Sequence, residues 1–127
     1  MTLFAASFAC VYANPPTFAV ESDDLLGSWE GCDGRIVTFT LEDDQYVGRY
    51  TELGGLGWFH FTENEIGYTA TQAVDGEYVG QVSWRSTSGT QAWHSNTIQI
   101  EGDQYFDTGS DACSTEMIRT SESVRSR

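Results

Sequence analysis

Lysine is missing from this 127-residue chain: its 6 basic residues are all arginine and face 19 acidic ones, for a net charge of -13. A surface of that sign repels phosphate backbones and anionic headgroups, which argues against nucleic acid and membrane surfaces as partners. Neutral small molecules, cations or a basic protein fit better. Proline occurs only twice, and no stretch keeps a 3.6-residue apolar period long enough to build a helix. Long hydrophobic runs are missing as well. The run at 3–11 is too short to cross a bilayer.

Chemistry-bearing residues are equally sparse. His60 and His94 are the only histidines, no Ser-His-Asp or Cys-His set surrounds them, and no catalytic residue is assigned. With three cysteines at no zinc-type spacing, no metal site is expected. Asp23-Asp24 and Asp43-Asp44 lack an EF-hand frame. The sequence therefore argues against an enzyme and implies no cofactor.

What is abundant is glycine, with 13 residues, and aromatic side chains, with 17. Together with short runs of Thr, Val, Ile and Tyr they give a β-rich profile. Nine candidate strands follow one another at steps of about 8 to 12 residues: 26–32, 35–42, 45–53, 57–62, 65–74, 77–86, 91–101, 104–107 and 113–120. Asp33-Gly34, Asp43-Asp44, Asp75-Gly76 and Gly102-Asp103 supply the turns. Val37, Phe39 and Leu41 alternate with Thr38 and Thr40, and Tyr78, Val82 and Trp84 alternate with Gln81 and Ser83, so each strand has one apolar and one wet face. This predicts an all-β fold, an antiparallel up-and-down barrel of about eight strands around one interior. Nine is one too many for closure, and 57–62 or 104–107 is expected to fall outside the ring.

The chain is expected to hold a signal peptide or leader at 1–19, one barrel domain at 20–121 and a frayed tail at 122–127. The uncharged start, with small residues before cleavage points after Ala13 or Ala19, is the pattern of secretion, so the protein is expected to be secreted or periplasmic. Cys10 leaves with the signal. Cys32 and Cys113 remain, and in an oxidising compartment an even pair reads as a disulfide. Closing so long a loop stabilises the fold by about 4–5 kcal/mol.

Gly27-Ser28-Trp29 near the first strand's start and Arg119 near the last strand's end resemble the G-x-W and arginine signature of the calycin superfamily, the lipocalins and avidins. The resemblance implies that Trp29 packs at the closed end beneath Arg119, both in structural roles, and that first and last strands pair antiparallel, which also brings Cys32 to Cys113. Strict alternation opposes this, since Trp29 to Cys32 is an odd step and Cys113 to Arg119 an even one, so a bulge or turn is needed at 32–34 or 109–111. The stretches 46–52 and 82–85 are similar to avidin segments, but Gly31, Asp33 and Arg35 stand where biotin contacts are expected, so biotin is not implied. The block from Gly31 to Gly57 is also similar to small secreted bacterial proteins of no assigned activity.

By face parity Arg35, Tyr50, Glu52 and Trp84 are candidate ligand-binding residues, with Trp58 beside a glycine-rich lid at 53–57. The competing reading makes Arg35 and Glu52 an internal ion pair or solvated strand-end charges. The function expected is binding of a small, partly apolar molecule in the open end. The alternative is an acidic interaction protein of the lysozyme-inhibitor type, since Cys32-Asp33-Gly34 and Ser88-Gly89 resemble segments of those inhibitors. Neither ligand identity nor oligomeric state is encoded in a legible motif.

Overall fold

The computed structural model describes residues 24–120; the expected leader at 1–19 and tail at 122–127 lie outside the described residues. Eight strands, β1 (Gly27–Glu30), β2 (Ile36–Glu42), β3 (Gln45–Glu52), β4 (Ile66–Val74), β5 (Glu77–Arg85), β6 (Gln91–Glu101), β7 (Gln104–Asp107) and β8 (Glu116–Arg119), close into a barrel in sequence order. Every neighbour is antiparallel, including β1 with β8 through Trp29 opposite Arg119. The predicted fold class is the observed one.

The alternation that predicted the strands also fills the barrel. Val37, Phe39, Tyr68, Ala70, Tyr78, Ile98 and Tyr105 are buried on inward faces, and the rings interlock: Phe39 to Tyr68 at 5.4 Å, Tyr46 to Tyr78 at 5.1 Å, Trp29 to Tyr105 at 5.8 Å between centroids. The middle of the barrel is thus a packed core. Gly48 permits it: a Cβ there would lie 2.8 Å from Cε2 of Phe39, so any larger residue on β3 would displace that ring.

One end is sealed. The turns at 43–44, 75–76 and 102–103 are short, and Asp43 and Asp44 both take positive φ, 54° and 69°, the mirror-image turn that suits strand twist. Leu25, fully buried, lies beneath the chain entering β1, and its carbonyl accepts a 3.0 Å hydrogen bond from Trp29 Nε1. Arg119 sits over the Trp29 ring at 4.2 Å and donates to the carbonyls of Leu26, Asp24 and Gly102 and to Asp103. Its one guanidinium satisfies three carbonyls, two in the stretch before β1 and one in the β6–β7 turn, while the indole gains a cation-π contact. Trp29 and Arg119 hold the positions that the calycin resemblance implied.

The opposite end carries the longer connections at 31–35, 53–65, 86–90 and 108–115. Here the nine-strand reading is corrected: 57–62 is no strand, because Gly54–Phe59 winds into a 3-10 helix that buries Leu56, while 104–107 is β7 and belongs to the ring. Cys32 and Cys113 are disulfide-bonded, with Cα atoms 4.8 Å apart. The strands expected at 26–32 and 113–120 are shorter, spanning Gly27–Glu30 and Glu116–Arg119. β1 ends at Glu30 and β8 begins at Glu116, so both cysteines lie in turns to which strand alternation does not extend, and the parity conflict disappears.

Candidate functional site

At the open end a cavity of about 90 Å³ is lined by apolar and aromatic side chains, among them Tyr50, Leu56, Phe59, Phe61, Tyr68, Val82 and Trp84, and by polar ones from Arg35, Ser83, Arg85, Ser110, Asp111 and Ser114. It exists because the ring comes apart locally. β4 pairs with β5 only as far as Tyr68 opposite Val82, so residues 83–85 project past it, and the 3-10 helix with Phe61 fills only part of the gap. A single water needs about 10–15 Å³, and an enclosed apolar cavity of about 150 Å³ takes a benzene ring. The present volume holds several waters, or one part of a molecule whose remainder lies against the rim.

Arg35 forms the polar side of this cavity. It is 5% exposed, because β2 starts immediately after it and the 31–35 hairpin folds it inward. Nε and Nη2 donate to the two oxygens of Asp33, each at 2.8 Å, and Nη1 donates to Asp111 at 2.7 Å and Ser114 at 3.0 Å. Four of its five N–H groups are thereby occupied. Asp33 also accepts from the Arg35 backbone N–H at 3.1 Å and from Gly55 N–H at 2.8 Å, tying the hairpin to the 3-10 helix. The Arg35 guanidinium first, and the two backbone N–H donors after it, hold the Asp33 carboxyl well below the usual carboxylate range. Burial alone would lower the Arg35 pKa, but Asp33 and Asp111 outweigh it and hold the guanidinium above its ordinary value.

Beneath the cavity runs a chain of hydroxyls. The Tyr50 and Tyr68 rings meet edge-on with centroids 6.0 Å apart, the Tyr68 and Ser110 hydroxyls are 3.0 Å apart, and Ser110 Oγ donates to Asp107 at 2.6 Å. Asp107 also accepts from the Tyr105 hydroxyl at 2.6 Å and from the Asn96 amide at 3.3 Å. Burial, then the charge of Asp107, pushes Tyr68 up to about 12, and burial followed by the neighbouring Tyr68 holds Tyr50 well above the ordinary phenol value. These phenols stay protonated donors throughout the physiological range. Among the described residues no group of three or more His, Cys, Asp or Glu is placed to hold a metal ion.

The far wall is built by β5. Trp84 donates from Nε1 to the Gly109 carbonyl at 2.7 Å and meets His94 edge-on at 5.5 Å, while remaining 39% exposed. Arg85 binds Glu65 through Nε and Nη2 at 2.9 and 2.7 Å and lies over Phe61.

Of the sequence candidates, Arg35, Tyr50 and Trp84 meet at this cavity. Glu52 and Trp58 do not: Glu52 is exposed at the end of β3, beyond the point where β4 flanks it, and Trp58 is 84% exposed on the outer side of the 3-10 helix. Arg35 is indeed in an internal ion pair, but with Asp33 and Asp111, not Glu52. Ser110, Asp111 and Ser114 were not singled out as cavity residues. Their one signal is position, just before and after a cysteine whose disulfide draws the 108–115 segment to Arg35. The chain matches no protein-family model, no curated protein and no solved structure.

Proposed function

We propose that the protein is a secreted or periplasmic barrel of calycin type that binds a small, neutral, partly apolar molecule at its open end. The observation that carries this reading is the meeting of exposed and half-buried rings with fixed hydroxyls around one opening, the arrangement of a small-molecule site. Charge selects the ligand class. The guanidiniums of Arg35 and Arg85 are matched by Asp33, Asp111 and Glu65, so an anion entering the cavity would meet a net negative cluster in a chain of net charge -13. A flat ring could stack on Trp84 and Phe59 while a hydroxyl or amide reaches Ser110 and Ser114. The Cys32–Cys113 disulfide supports the oxidising compartment.

Thermal-shift titration with phenol, benzamide and indole, each beside benzoate as an anionic counterpart, tests this. A saturable rise in unfolding temperature with the neutral compounds, lost in Trp84→Ala and weaker with benzoate, is expected. No saturable response from any of them counts against the reading.

The second reading, an acidic protein-interaction or lysozyme-inhibitor barrel, is favoured by the charge and by Ser88-Gly89 at the β5–β6 turn, where Ser88 is exposed and Gly89 half-buried. Lysozyme inhibition that weakens with ionic strength would select it.

A further inference from the structure

The β5–β6 hairpin outruns its neighbours. β6 pairs with the whole of β5, from Gln91 opposite Arg85 to Gln99 opposite Glu77. β7 joins it only at Ile98. Thr97 exchanges hydrogen bonds with Thr108 on the β7 side, and the Gly109 backbone lies close against the Ser95 carbonyl. Backbone groups alternate sides along an antiparallel strand, so Gln91 and Trp93, with the parity of Thr97, also direct N–H and C=O outward. No described residue pairs with them there. All of 91–95 is exposed, Trp93 at 40%.

Strand edges in monomeric proteins are ordinarily blunted by charge, proline or a bulge. This one has none. Residues 86–100 contain no Asp, Glu or Arg, the longest uncharged run among the described residues, in a chain of net charge -13. It is the strip of surface where two copies can approach with the least mutual repulsion.

We infer that the free β6 edge at 91–94 is a self-association surface, on which a second copy of this chain pairs antiparallel across a two-fold axis. With Ser95 already covered by Gly109, the available register is centred on Ala92. Gln91 then faces Trp93 of the second copy and the reverse, giving four backbone hydrogen bonds. Ala92 faces itself in a non-hydrogen-bonded pair, with Cα atoms about 4.5 Å apart. The strip is short, so the dimer is weak and in concentration-dependent exchange. Its salt response is opposite to that of a basic partner: ionic strength screens the repulsion between two acidic barrels and strengthens the pair.

The register makes the test specific. In a Cys10→Ser background, Ala92→Cys is expected to form an intermolecular disulfide under mild oxidation, since the facing Cα distance suits one. Leu41→Cys, at an exposed site on the opposite end of the barrel, serves as the collision control. Sedimentation velocity of the unmodified chain is expected to show a dimer fraction that grows with concentration and with salt. Trp93→Pro, which removes an N–H that the β5–β6 ladder does not use, is expected to leave only monomer with an unchanged circular dichroism spectrum. Cross-linking no faster than in Leu41→Cys, or a monomer at all concentrations and salts, overturns the inference. So does a dimer that survives Trp93→Pro, or one that forms only with an added basic protein.

Discussion

Replacing Arg35 with methionine keeps most of the side chain's volume but removes the charge that joins three loops at the open end. Asp33 and Asp111 are then left facing each other without their cation, and Ser114 loses a donor. Removing one member of a buried ion pair costs about 3–5 kcal/mol. The carboxylates retain 25% and 37% side-chain exposure, so water can rehydrate them and the loss falls near the lower bound, about 3 kcal/mol. In a domain of this size that is a fall of about 12–24 °C in Tm. The acid limb adds a second signature. Asp33 titrates lower in the folded protein than in the unfolded chain, so its contribution is fully present above the ordinary carboxylate value of about 3.9 and is lost as pH falls below it. In Arg35→Met most of that depression is gone, so wild type and variant converge as the solution is acidified from pH 5 toward pH 2. Urea unfolding at several pH values reads both effects. A loss under about 1 kcal/mol, with parallel pH curves, would refute the view that this triad fastens the open end.

Cys32→Ser with Cys113→Ser lowers stability by about 4–5 kcal/mol, because the loop released spans 81 positions; equilibrium unfolding with and without reductant measures it. Gly48→Ala destabilises by about 1–3 kcal/mol, since the new Cβ meets Phe39 at 2.8 Å, and near-ultraviolet circular dichroism should show the aromatic core disturbed. Arg119→Lys keeps the charge but cannot serve the carbonyls of Leu26, Asp24 and Gly102 together while covering Trp29. It is expected to cost about 1–2 kcal/mol and to red-shift Trp29 fluorescence as the sealed end loosens.

The sealed end was far more legible in the sequence than the open one, and the reason is physical. Period-two alternation and two-residue turns such as Asp43-Asp44 are local, and the Trp29–Arg119 pair, though distant in sequence, is announced by a G-x-W motif and a late arginine in the pattern the calycin resemblance supplies. The open end is assembled from connections. The 3-10 turn at Gly54–Phe59 has no hydrophobic period, so Trp58 and Phe59 could not be divided in advance into a ring facing solvent and one lining the cavity. Parity carried Glu52 inward with Tyr50, yet the face of a strand ceases to be an inside where its neighbour stops pairing. Arg35 was found, whereas Asp111 and Ser114, 76 and 79 positions away, have no motif to announce them. Only the disulfide beside them indicates which loop they meet.

The central claim, that the open end receives a small neutral molecule, is tested most directly by fluorine NMR of the chain labelled with 5-fluorotryptophan. Trp29, Trp58, Trp84 and Trp93 give four signals, and substitution of Trp84 by phenylalanine assigns its own. Titration with benzamide is expected to move the Trp84 resonance saturably while Trp29, sealed at the far end, stays still. A Trp84 signal that does not respond up to the solubility limit, or shifts shared equally by Trp58 and Trp93, would contradict the account.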